Sequence, residues 1–311
     1  MASMLLFYML HHLSTTTAFM IQFGASTFIW VSPFSTADFD LVHKAKAMGY
    51  DILEVAVEQQ ELIDWARLKE ITRQAGIQVT ISGAFGPDRD ISSTDAAIRE
   101  NGYQYIADCI RIARDMGSPV FTGPVYSAVG KTRLVSEAQK QQERTWCVEN
   151  LKRVGEVAAQ HGVVVGVEPL NRFETDMINT VDQVLALVQE VAHPNIKISL
   201  DTFHSNIEEK NIPAAIRKIG PDLLCHVQAN ESDRGTPGTG HLDWAGIMDA
   251  LSDIHYAGAV VLETFGAPSK ELAGAACIWR PLANSADELA SEGLAFYQAI
   301  FRESSRLSPV R

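Results

Sequence analysis

Residues 162–174 read GVVVGVEPLNRFE, and the fold turns on how they are understood. Gly162 is a natural helix stop, the valines form an aliphatic run of β-branched residues, and Pro169 ends it. Apolar and polar residues do not alternate within the run. A strand of this kind is covered on both faces, as in a parallel sheet under helices. Its last residue before the proline is a lone carboxylate, Glu168.

Working outward, the same pattern recurs at 196–201 (IKISLD), 223–229 (LLCHVQA) and 259–263 (AVVLE). Upstream it recurs at 21–26 (IQFGAS), 52–57 (ILEVAV), 77–82 (IQVTIS) and 119–122 (PVFT). Between these runs lie amphipathic stretches such as 62–75 and 136–160, with Trp146, Val148, Leu151, Val154 and Val157 at helical spacing. Gly49, Gly76, Gly117, Gly162, Gly220 and Gly258 punctuate the helix-to-strand junctions, and His193-Pro194-Asn195 takes the remaining one. Eight strand–helix units with one punctuation predict an α/β fold, a single (β/α)8 TIM barrel over residues 20–304. No linker or charge block divides it.

The 311 residues are 46% hydrophobic and 21% charged, which excludes disordered and fibrous classes. Lys and Arg number 26 against 38 Asp and Glu, a formal net charge of −12. That balance repels phosphate backbones, so no nucleic-acid partner is expected. Cys109, Cys147, Cys225 and Cys277 are scattered without close pairs, which reads as reduced thiols and a cytoplasmic location. No apolar run reaches the roughly 18–20 residues of a membrane span. The apolar stretch Met4–Leu10 is short and lacks a basic flank, so residues 1–19 read as an extension outside the fold, and 305–311 as a tail.

The active site of such a barrel lies at the C-terminal strand ends. Glu168 ends strand 5, Asp201 strand 6 and Glu263 strand 8, while His226, Gln228 and Asn230 share one face around the end of strand 7. Glu168, Asp201, Gln228 and Glu263 are spaced 33, 27 and 35 residues apart. A barrel unit is about 31 residues, so each stands one strand further around one mouth. A single strand-end acid often caps a helix or pairs with an arginine. Three acids in register repel one another unless a cation lies between them, and carboxylates with an amide oxygen suit Mn²⁺, Mg²⁺ or Co²⁺. His204, three residues after Asp201, points to a substrate contact, and Glu174 lies on the loop after strand 5. The Gly- and Pro-rich loop carrying Arg234 and His241 reads as a substrate-facing lid.

The segments VEPLNRFE (167–174), LDTFHSNIEE (200–209), NESDRGTPGTG (230–240), VVLETF (260–265) and CIWR (277–280) resemble, in this order, the ketose 3-epimerases that act on D-tagatose, D-psicose and L-ribulose. These belong to the xylose-isomerase-like barrels. The resemblance implies a divalent metal, Mn²⁺ first with Co²⁺ or Mg²⁺ as alternatives, held by Glu168, Asp201, Gln228 and Glu263. It implies Glu168 and Glu263 as the two acid/base groups, and Glu174, His204 and Arg234 as contacts to the sugar hydroxyls. It also implies a homodimer or homotetramer. One departure stands out: the family's metal-binding histidine on strand 7 is Gln228 here, and His226 is the less favoured ligand. Trp30, Glu58 and Phe85 are candidate pocket-lining residues. Trp279, Leu282, Phe296, Tyr297 and Phe301 read either as an association surface or as the last helix packing on its own barrel.

The reaction implied is metal-dependent epimerisation of a free ketose at C3 through an enediolate, with one glutamate removing a proton and the other returning it. Alternatives are an aldose–ketose isomerase of the hydroxypyruvate-isomerase type, which also uses Gln at that position, and a keto-sugar or inosose dehydratase. An apurinic endonuclease on the same barrel needs a His-rich site and a basic face, which nine His and a charge of −12 do not provide. A non-catalytic sugar-binding barrel would not need oxygen donors at all four metal positions.

Overall fold

The computed structural model describes residues 21–266 and 269–307. Eight parallel strands close into one barrel in chain order. They are β1 (Gln22–Ser26), β2 (Ile52–Val57), β3 (Gln78–Gly83), β4 (Val120–Gly123), β5 (Val164–Val167), β6 (Ile196–Asp201), β7 (Leu224–Gln228) and β8 (Ala259–Leu262), and β8 pairs back onto β1. Each lies within one residue of the bounds expected from the aliphatic runs. The helices are α1 (Asp40–Met48), α2 (Trp65–Ala75), α3 (Ala96–Met116), α4 (Glu137–His161), α5 (Val181–Val191), α6 (Thr202–Glu208), α7 (Ile212–Ile219), α8 (Trp244–Asp253), α9 (Lys270–Ala275) and α10 (Ala286–Leu307). The expected extension 1–19 lies outside the described residues, and α10 continues to Leu307, so the expected tail begins inside a helix.

Gly49, Gly76, Gly117 and Gly162 close α1 to α4 in the left-handed conformation, with φ of 101°, 65°, 77° and 67°. Two junctions differ from expectation. Ahead of Gly258 the left-handed residue is His255 (φ 53°), and Gly258 instead leaves room for Tyr256, whose hydroxyl would lie 2.4 Å from a Cβ placed there. Ahead of Pro194 the turn is made by Ala192 (φ 54°), because α5 ends before the proline is reached.

Strand alternation divides the barrel. Leu53, Val55 and Val57 of β2 and Val165 and Val167 of β5 join the main core with apolar residues of the helices. Ile52, Ala259 and Val261 form a separate small apolar cluster. Two residues along β2 from Ile52, the same face carries Glu54, fully buried. The inner face thus turns polar toward the strand C-termini, where Ser199, Asp201, His226 and Gln228 are also buried. Gly166 lets strands crowd here, since a Cβ at that position would meet Cys225 Sγ at 3.0 Å and Ser199 Cβ at 3.1 Å.

The C-terminal segment packs on its own barrel. Tyr297 is buried and stacks on Phe23 (5.8 Å between ring centroids), Phe301 meets Phe23 edge-on, and Phe296 packs against Trp244. Trp279 is the exception, 76% exposed. No helix among the described residues is long and apolar enough to cross a membrane. The four cysteines are free.

Candidate active site

Asp201 ends β6 and caps α6, its Oδ1 accepting the Phe203 N–H at 2.6 Å. Its Oδ2 accepts from Asn230 Nδ2 at 2.9 Å, while Asn230 Oδ1 accepts the Glu263 backbone N–H at 2.9 Å. Asn230 therefore ties the ends of β6 and β8 together. Gln228 Nε2 donates to Glu263 Oε1 (2.9 Å) and to Glu54 Oε1 (3.1 Å). His204 Nδ1 accepts the Asn171 N–H at 3.1 Å, and its Nε2 lies 3.7 Å from Glu168 Oε1 and 3.8 Å from Asp201 Oδ2. Asn171 Nδ2 also donates to Glu174 Oε1 at 2.9 Å.

Arg234 lies among these acids, 3.7 Å from Asp201 Oδ2, 3.6 Å from Glu263 Oε2 and 3.1 Å from His204 Nε2. Its guanidinium packs over the Phe203 and Phe265 rings, and its backbone is left-handed (φ 60°). Glu231 organises the loop that presents it. The Glu231 carboxylate accepts from the backbone N–H groups of Ser232 and Gly238 and from Trp244 Nε1, at 2.8–2.9 Å.

A cavity of about 340 Å³ opens beside this cluster. Glu168, Glu174, His204, Arg234 and Glu263 line it, as do Glu58 and Phe85. Asp201 and Gln228, each 1% exposed, lie behind that lining. Trp30 is not part of the wall, and its indole N–H donates to Asp287 Oδ1 at 2.7 Å. His241 is exposed and does not line the cavity. The sequence reading missed the apolar side of the wall, where Phe28 and Phe265 pack with Leu272 of α9. It also missed Glu54, whose only signal was a charge inside the apolar run ILEVAV.

Residues 42–299 match the xylose isomerase-like TIM barrel family. An L-ribulose 3-epimerase from Methylomonas sp. strain DH-1 is 30% identical over 279 residues, covering 89% of this chain and 96% of that protein. A solved L-ribulose 3-epimerase structure superposes with a TM-score of 0.87 at 30% identity, covering 93% of this chain and 97% of the other. D-psicose 3-epimerase from Clostridium cellulolyticum H10, solved with D-tagatose, gives 0.82 at 30% identity, over 90% of this chain and 99% of the other. The chain belongs to the ketose 3-epimerase family.

Ketose 3-epimerases are isomerases, and the electrostatics of this member suit proton transfer. Burial holds the Glu168 carboxyl well above the usual carboxylate range, and the nearby Glu263 and Asp201 raise it further. Burial pushes Glu263 up to about 8 and Asp201 up to about 6, with Arg234 opposing both. Burial, with Arg234 beside it, keeps the His204 ring well below its ordinary value, so it is neutral. Glu168, Asp201 and His204 bring one donor atom each within 4.8 Å of one another, a three-residue arrangement able to hold a metal ion. Gln228 Oε1 is buried and has no hydrogen-bond partner, an orphan acceptor of the kind a cation satisfies. Carboxylate and amide oxygens of this kind suit a hard divalent ion.

Proposed function

We propose that this epimerase inverts a free ketose at C3, with Glu168 and Glu263 as the proton-transferring pair. The observation that carries the reading is that both carboxyls, delivered by β5 and β8, open onto one cavity and have raised proton affinities. One glutamate takes the proton from the carbon beside the carbonyl and the other returns a proton to the opposite face. Glu174, His204 and Arg234 hold the sugar hydroxyls. The Phe28 and Phe265 wall with Leu272 keeps water from the reacting carbon. Glu168, Asp201, Gln228 and Glu263 would hold a divalent cation, Mn²⁺ first and Co²⁺ or Mg²⁺ next. When bound, it supplies the positive charge that favours enediolate formation.

A neutral sugar suits the cavity better than a sugar phosphate. Glu58, Glu168, Glu174 and Glu263 line it, and Arg234 already lies within 4 Å of Asp201 and Glu263. The relative solved with D-tagatose supports the same substrate class. The four free cysteines support a cytoplasmic setting. Trp279, Phe173 and Leu134 expose apolar surface that a second copy would cover, consistent with a homodimer or homotetramer.

The test is a panel of D-fructose, D-tagatose, D-psicose, L-ribulose and D-ribulose with Mn²⁺ in D₂O, resolved by chromatography. The expected result is one ketose pair equilibrating with deuterium at C3 and no aldose. Gln228, in place of the family histidine, favours aldose–ketose isomerisation as the second reading, and an aldose product with deuterium at C1 or C2 would establish it instead.

A further inference from the structure

We propose that Glu54 of β2 is a positioning residue that fixes which end of the Gln228 amide is free. Glu54 is wholly buried and is itself held in place. Its Oε2 accepts from Thr80 Oγ1 at 3.2 Å and lies 2.7 Å from His226 Nε2, which leaves Oε1 for Gln228. Gln228 Nε2 carries two protons and spends one on Glu54 Oε1 (3.1 Å) and one on Glu263 Oε1 (2.9 Å). A carboxylate oxygen accepts and does not donate, so the reversed amide would set its oxygen against Glu54 Oε1, which has no proton to give it. One orientation survives, with Nε2 between the two carboxylates and Oε1 buried without a partner.

An amide nitrogen has no lone pair to offer a cation, whereas the amide oxygen does. Glu54 therefore acts through Gln228, keeping the oxygen available as a ligand without touching metal or sugar. His226 is thereby given a role that is not ligation: it lies against Glu54. The inference rests on the metal reading above and adds that the amide's orientation is imposed from β2. A partner that orients a ligand in this way is typically worth roughly 10- to 100-fold in metal affinity.

The experiment measures Mn²⁺ affinity of the chelator-treated full chain by isothermal titration calorimetry, with folding checked by circular dichroism and melting. Glu54→Gln can donate an N–H to Gln228 Oε1 and so permits the reversed amide. Glu54→Asp keeps the buried charge but is one methylene too short to reach Gln228. Both are expected to weaken Mn²⁺ binding by roughly 10- to 100-fold. In a Gln228→Ala background either substitution should change it by less than about threefold, because the coupled partner is gone. Wild-type affinity in Glu54→Asp, or an undiminished loss in the Gln228→Ala background, overturns the proposal by showing that charge alone acts. Failure of the wild-type chain to bind Mn²⁺ overturns the metal reading itself, and this inference with it. If Glu54→Gln does not fold, Glu54→Asp carries the same comparison.

Discussion

Asp201 shows how much one side chain does at this mouth: Oδ1 caps α6 and Oδ2 receives Asn230. Glu168 and Glu263 have fewer partners and stay open to the cavity, as their proposed role in proton transfer requires. Glu168→Gln and Glu263→Gln should each lower kcat by roughly 10²–10⁴-fold, and near-native turnover in either variant contradicts the two-carboxylate scheme. Burial favours the protonated carboxyls of both, so the isosteric amides should not lower the melting temperature of the metal-free protein. The same burial dictates a pH dependence. Asp201 and Glu263 hold protons up to about 6 and about 8 in the folded chain, above their unfolded values. Their contribution to stability is full below about pH 4 and is lost as pH rises through about 6 and then about 8. The melting temperature of EDTA-treated protein should therefore fall between about pH 5 and pH 9, and Mn²⁺ in excess should flatten the fall. A rise in the metal-free melting temperature over that range would overturn the assignment.

At the scale of elements, strands and their glycine stops were legible because both are local properties of backbone and side chain. Gly162 tests this directly. It is left-handed with no atom within 4 Å of an added Cβ, so Gly162→Ala pays only the conformational strain, about 1–2 kcal/mol, seen as a lower melting temperature with kcat intact. His255 and Ala192 were not legible as the left-handed residues, since nearby Gly258 and Pro194 carry the stronger local signal and only the ends of the helix ladders put the left-handed turn earlier. The loop after β7 depends on Glu231. Glu231→Gln leaves one acceptor oxygen and sets its N–H₂ against either the Ser232 N–H or the N–H groups of Gly238 and Trp244, so the loop loosens and Arg234 loses its placement. The expected readout is a raised KM for the ketose with a smaller change in kcat. Unchanged KM would mean that Arg234 is held by its other neighbours.

For the whole molecule, chelation is the broadest test. EDTA should remove activity and Mn²⁺ or Co²⁺ restore it, while full activity after exhaustive chelation contradicts the proposed cofactor. The exposed Trp279 and Phe173, at 76% and 69% exposure, bear on association. Light scattering should report a dimer or tetramer, and Trp279→Ser should weaken it if that surface is the contact.

The sequence by itself determined the barrel, its eight units and the acids at its rim. Aliphatic runs, glycine stops and strand-end carboxylates are each written within a few residues, and equal spacing around a closed sheet makes them converge. Only the tertiary structure decided how those acids are held. Glu54 meets Gln228 across 174 residues of chain, and Asn230 joins Asp201 to Glu263 across 29 and 33. The apolar wall of Phe28, Phe265 and Leu272 is likewise assembled from separate segments. Glu54 and Gln228, on β2 and β7, become neighbours only when β8 closes onto β1, and no local periodicity encodes which buried donor will face which acceptor once it does.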